Sequence, residues 1–167
     1  MPNWCECDLI VTGPEARVKE FLKYAEGDGC AFDFNRFIPY PEKFRLLDEA
    51  AERWDEDPTP TRPRPKDGFN SGGYEWCVEH WGTKWNAGRV TVDEPQVWDE
   101  EWSIELHFST AWSPPLPVIR RASKLFPELY LRLCYFEAGM EFHGVYCCQA
   151  GAVVRDDSGR YYGMRGG

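Results

Sequence analysis

The sequence predicts an α+β fold, an antiparallel sheet with its helices on one face, and three observations carry that expectation. From Trp102 to Thr110, Trp102, Ile104, Leu106 and Phe108 alternate with Ser103, Glu105, His107 and Ser109, the period-two pattern of a strand with one buried face. From Trp4 to Thr12 the alternation repeats, with Cys5, Cys7, Leu9 and Val11 on one side. After each strand the spacing changes to that of a helix, and prolines mark both switches.

Taken in order, Gly13-Pro14 turns the chain after the first strand, and proline suits the first helical turn, where its missing N–H costs nothing. Val18, Phe21, Leu22 and Ala25 then form an apolar stripe on a helix over 14–26, opposite Glu15, Arg17, Lys19, Glu20 and Lys23. Gly27-Asp28-Gly29 ends it. Cys30 to Pro41 reads as an extended apolar stretch with two prolines, packed irregularly or as a short edge strand. Pro41 to Trp54 is helical, with Phe44, Leu47, Ala51 and Trp54 on one side. Asp55 to Gly73 breaks every pattern with Pro58, Pro60, Pro63 and Pro65 among charges, and is expected to be the least ordered part (55–73). Glu75 to Trp81 forms a short helix. Strands near 88–93 and 102–110 pair across an acidic loop, Asp93 to Glu101.

The double proline Pro114-Pro115 then stops the ladder, since neither ring donates a hydrogen bond. A helix over 115–126 turns Val118, Ile119, Ala122, Leu125 and Phe126 inward. Leu129, Leu131, Leu133 and Tyr135 alternate along a strand at 129–137, and a turn at Ala138-Gly139 leads into an added strand at 140–149. The order is βαββαβ plus that strand, the ferredoxin-like split β-α-β arrangement, in which the first and third strands lie side by side. One domain spans 1–151, with an insertion at about 27–87, and 152–167 is a polar, Gly-rich tail carrying a short hairpin around Asp157-Ser158-Gly159.

At 167 residues the chain is long enough for a core, and 16% aromatic residues supply it without disulfide support. A net charge of −9 opposes duplex nucleic-acid binding, although a local basic site for a small anion remains compatible with it. No apolar run reaches membrane-spanning length. Met1-Pro2-Asn3-Trp4 lacks a basic n-region and an apolar h-region. Seven irregularly spaced cysteines then read as reduced thiols of a cytoplasmic protein.

Several motifs occur together: Met1-Pro2-Asn3-Trp4-Cys5, Trp81-Gly82-Thr83-Lys84-Trp85, Phe108-Ser109-Thr110-Ala111-Trp112-Ser113-Pro114-Pro115, Leu125-Phe126-Pro127 and Tyr135-Phe136-Glu137-Ala138-Gly139. In this order they resemble the YubB-type ferredoxin-like domain proteins of phages, prophages and conjugative plasmids. The resemblance runs from Met1 to about Gly151 and departs in the 55–73 insert and the tail. It implies a ferredoxin-like fold and a mobile-element origin, with a bacterial host cytoplasm as the setting. It implies no activity, no catalytic residue and no iron–sulfur cluster.

The residues themselves supply no catalytic constellation. There is no Gly-x-Ser-x-Gly elbow, phosphate loop or dinucleotide fingerprint, so neither a cofactor nor an enzyme is the favoured reading. Cys77 and His80 share a helix face, a spacing that rarely yields nucleophile–base geometry. No Cys-x-x-Cys pair occurs, and Cys5 and Cys7 continue the apolar face of Leu9 and Val11, so no metal is expected. Cys5, Cys7 and Cys134 are expected to be buried or half-buried, with Cys134 meeting the insertion.

The loop Trp81-Gly82-Thr83-Lys84-Trp85-Asn86 gathers two indoles, a hydroxyl, an ammonium and an amide. Those groups suit a planar or anionic ligand; alternatively both indoles plug the core with Lys84 snorkelling between them, and the second reading is preferred. Trp112, closing the third strand, joins these candidates. Ser103, Glu105, His107 and Ser109 face the open side of the sheet beside Glu6 and Asp8, a poor nucleic-acid platform. The insertion is expected to cover part of that face. Acidic runs at Asp48-Glu49, Asp55-Glu56-Asp57, Asp93-Glu94 and Asp99-Glu100-Glu101 read either as solvated loops or as a partner-facing surface. The functional expectation is a non-catalytic accessory protein that binds a host or defence protein, with small-molecule or nucleotide binding near 81–86 as the alternative.

Overall fold

Strand β1, Trp4–Gly13, lies in the middle of a seven-stranded antiparallel sheet. The computed structural model describes residues 3–27, 29–98 and 101–160; Met1-Pro2, Asp28, Asp99-Glu100 and the tail from 161 onward lie outside them. Along one path the strands run β2-β4-β1-β5-β6-β7, where β2 is Gly88–Val92, β4 Glu101–Ala111, β5 Tyr130–Glu137, β6 Phe142–Gln149 and β7 Ala152–Arg160. A short strand, β3 (Gln96–Trp98), pairs with the beginning of β4. β1 and β4 are adjacent, with Leu9 opposite Leu106 and Asp8 opposite His107. This is the ferredoxin-like arrangement that the element order predicts.

The helices cover one face. α1 (Glu15–Ala25) buries Val18, Phe21 and Ala25, and α5 (Leu116–Leu125) buries Val118, Ile119 and Ala122. They meet the apolar side of β1, where Cys5, Cys7, Leu9 and Val11 are at most 1% exposed. The Phe21 and Phe126 rings pack edge to face at 5.4 Å between the two helices.

The insertion joins this same core. α2 (Phe34–Phe37) is one helical turn, capped by the Asp33 carboxylate, which accepts from Asn35 N–H at 2.9 Å. Here the sequence reading of Cys30 to Pro41 as extended needs correction, because that cap closes a turn in its middle. Phe32 and Phe34 press on Phe108 at 5.2 and 6.3 Å, on the helix side of the sheet. The insertion therefore buries most of its aromatics in the core, and of the open face it meets only the end at Trp4, through Trp85. Cys134, on that open face opposite Asp8, stays half-buried.

α3 (Glu42–Asp55) and α4 (Gly73–His80) form where helical spacing predicts them. Between them residues 56–68 hold no helix or strand. They are tied back by Trp54 Nε1 donating to Arg62 O at 2.6 Å and by the Arg64 guanidinium gripping Asp55 at 2.8 Å.

Two further corrections concern strands. β3 falls inside the acidic stretch read as a loop. β7 occupies residues read as tail and hairpin, pairing with β6 along its length after the Ala150-Gly151 turn. Every β7 residue is exposed, so no apolar alternation announces it. Backbone pairing to an open sheet edge sets it instead.

Candidate functional site

The loop at 81–86 divides into a structural half and an exposed half. Gly82 sits at φ +79, and a Cβ there would lie 2.8 Å from Pro117 Cδ and 3.1 Å from Pro114 O, so only glycine passes between them. Ser113 Oγ donates to Gly82 O at 2.7 Å, and buried Thr83 donates through Oγ1 to Ala111 O at 2.9 Å. Trp81 is buried, and its indole N–H donates to Ile38 O at 2.8 Å. Asn86 accepts from Phe34 N–H at 2.9 Å and donates to Asp33 at 2.7 Å, holding α2 in place. Trp81, Thr83 and Asn86 thus fix the loop to α2 and to the end of β4.

That scaffold leaves Lys84 and Trp85 outside the core. Lys84 Nζ lies 4.2 Å from the Trp85 ring centroid and 4.8 Å from that of Trp112, a cation held between two indoles. Trp112 takes φ +71 and donates its backbone N–H to Asn3 O at 3.0 Å, which turns its ring toward Lys84. Trp4, not among the sequence candidates, packs against Trp85 at 6.1 Å, and the Arg89 guanidinium lies 5.9 Å from the Trp4 ring. Arg89 sits at φ +56 within a bulge of β2, a device that re-aims a side chain at a strand edge. Trp4, Trp85 and Trp112 are 38–40% exposed at one corner of the molecule. The expectation that both indoles of the loop plug the core holds for Trp81 and fails for Trp85, because the stitched loop turns Trp85 outward.

A second group lies on the open face, beyond Arg89. Asp8, opposite His107 in the β1–β4 register, approaches Nδ1 at 2.7 Å, and Asp93 approaches Nε2 at 3.3 Å. With a carboxylate at each ring nitrogen, the hydrogen bond to Asp8 first and that to Asp93 next raise the His107 pKa above its usual 6.5. Glu105 stands two residues along the same face, and the ligand atoms of Asp8, Glu105 and His107 lie within 4.8 Å of one another, a spacing one divalent ion spans. A shallow cavity of about 220 Å³ beside them is lined by Glu6, Asp8, Arg89, His107 and Ser109, and so connects this cluster to the tryptophan corner. The alternation of the strands placed Trp4, Asp8, Glu105 and His107 on this face, although Trp4 was not singled out as a site residue; Asp93, which a loop delivers, and Arg89, which a bulge re-aims, carried no periodic signal.

The thiols behave as packing. Burial raises the Cys7 pKa well above the ordinary thiol value, and burial with the nearby Asp48 charge pushes Cys77 up to about 12. No disulfide joins any of the seven.

Fold and site together define a ferredoxin-like α+β protein whose open sheet face ends in an aromatic corner. Residues 80–162 match the family model described as the ferredoxin-like domain in Api92-like protein. The whole chain is similar in structure to the crystal structure of protein Api92 from Yersinia pseudotuberculosis. That likeness has a TM-score of 0.59 at 12% sequence identity and covers 99% of this chain and 100% of the other. No curated protein matches the sequence. Among the described residues, no helix is long and apolar enough to cross a membrane.

Proposed function

We propose that this chain is a non-catalytic binding protein that docks a host or defence protein through its tryptophan corner. The observation that carries the reading is the contiguity of Trp4, Trp85 and Trp112, each more than a third exposed, with Lys84 between Trp85 and Trp112 and the Trp4 ring against that of Trp85. Single exposed apolar residues are ordinary, whereas clustered indoles with cationic partners have the composition of binding hot spots. A net charge of −9, with Asp48 flanking Lys84 and Trp85 on one side and Glu6 and Asp8 flanking Arg89 on the other, calls for a partner with an apolar socket and a basic rim. The resemblance to YubB-type proteins supports an accessory role in a phage, prophage or plasmid, acting in the cytoplasm of a bacterial host.

Capture from a bacterial host lysate, followed by titration of the purified captured protein, tests the proposal. Replacing Trp4, Trp85 and Trp112 by alanine is expected to weaken binding by about a hundredfold or more, since hot-spot truncations each cost about 2 kcal/mol or more. An affinity unchanged by the triple substitution overturns the reading. The alternative, a small molecule or nucleotide near 81–86, is weaker on geometry. The cavity bounded by Lys84, Trp85 and Asn86 measures about 170 Å³, below the roughly 300 Å³ at which ligand pockets begin.

A further inference from the structure

The outer face of α5 departs from the charge pattern of the other long helices. α1 pairs its surface charges, Arg17 with Glu20 and Lys19 with Glu15, and α3 pairs Arg45 with Glu42 and Glu49. α5 contains no acidic residue and exposes Arg120, Arg121 and Lys124, none of which makes an ion pair among the described residues. Arg120 and Lys124 stand four apart, where like charges oppose helix formation. In a chain with nine excess negative charges, three neighbouring cations without an acidic partner among the described residues are a local electrostatic cost.

These three cations border one cavity of about 540 Å³, between α5 and the turn from β6 to β7, whose lining includes Tyr146 and no carboxylate. The walls are braced. Arg120 Nε donates to Gly151 O at 3.2 Å, and Gly151 N–H donates to Ser123 Oγ at 3.0 Å, tying the turn to the helix. Ala150 and Gly151 take φ +50 and +78, and a Cβ on Gly151 would stand 3.1 Å from Lys124 Cβ, so the turn lies flat against the helix. The bond through Nε leaves the two terminal nitrogens of Arg120 as donors, beside the guanidinium of Arg121 and the ammonium of Lys124.

We infer that the cavity between α5 and the β6–β7 turn binds a phosphorylated small molecule of nucleotide size. Its volume falls in the range of about 300–1,000 Å³ for small-molecule sites, and its unpaired cations match phosphate oxygens. The site lies apart from the tryptophan corner and does not depend on the docking role proposed above.

Calorimetric titration of the full chain at low ionic strength, with inorganic pyrophosphate, AMP and adenosine as probes, tests the inference. One saturable site for AMP and pyrophosphate is expected, with adenosine binding at least about tenfold more weakly because it offers no charged acceptor. R121Q together with K124Q is expected to lower AMP affinity about tenfold or more while leaving the unfolding midpoint unchanged or higher, since like charges on the helix are removed. Absence of saturable binding, adenosine binding as tightly as AMP, or indifference to the paired substitution each overturns the assignment. Tighter binding of a short oligothymidylate than of AMP, sensitive to the same substitution, also overturns it in favour of a nucleic-acid surface.

Discussion

The two faces of β1 differ in burial and in chemistry. Its odd-numbered residues, Cys5, Cys7, Leu9 and Val11, vanish under α1, α5 and the phenylalanines of the insertion. Its even-numbered residues Trp4, Glu6 and Asp8 meet the exposed aromatic corner and the His107 cluster. The first face tolerates little chemistry because every position is enclosed by neighbours. The second carries ionic and aromatic groups that are partly exposed and so within reach of a partner.

The largest expected effect lies on the covered face. F21A removes the ring that joins Phe32, Phe37 and Phe126, and should destabilise the protein by about 3–5 kcal/mol in denaturant titration. A loss below about 1 kcal/mol would break the comparison by showing the core able to collapse around the gap. G82A tests the hinge between the faces. Its positive φ and the approach to Pro114 and Pro117 should cost about 1–3 kcal/mol and shift the Lys84–Trp85 corner, visible as a change in tryptophan fluorescence. A neutral G82A would show that the loop is not pinned there.

Smaller effects are expected on the open face. The groups facing His107 are Asp8 on β1, Asp93 after β2 and Glu105 on β4, with Arg89 on β2 lining the same cavity. Because the folded pKa is raised, the stability from the imidazolium is fully present below the unfolded value near 6.5. It is lost as pH rises through the folded pKa. An NMR titration of His107 should give a midpoint above 6.5 that falls in D8N. A midpoint at or below 6.5 would dissolve the cluster. Thiol labelling of the native protein sharpens the contrast without any mutation. Half-buried Cys30 and Cys134 should react ahead of Cys5, Cys7, Cys77, Cys147 and Cys148, which are buried.

What the sequence made legible follows the same division. Apolar alternation in Trp102 to Thr110 and Trp4 to Thr12, and helical spacing around Phe21 and Ile119, gave the covered face and hence the fold, because burial imposes a period on sequence. β7 escaped because a strand exposed along its length needs no apolar period, and β3 because three residues are too few to carry one; the pairing of both is written in the backbone. The candidate site was legible where it lay on a periodic strand, as for Glu105 and His107. It was hidden where a bulge at Arg89 or the loop carrying Asp93 brought distant residues together. Trp81 and Trp85, four apart in one motif, went to opposite fates because the bonds of Gly82, Thr83 and Asn86 set the path of the loop, and residue type alone does not reveal that.

The central proposal is that a partner protein docks at the aromatic corner of the open face, while the sheet face buried under the helices serves the fold. Hydrogen–deuterium exchange of the complex with the captured partner protein tests it most directly. Protection is expected at the backbone around Trp4, across 82–89 and at 111–113, with α1 and α3 unchanged. A footprint on the outer surfaces of α1 and α3 that leaves 82–89 unprotected would contradict it.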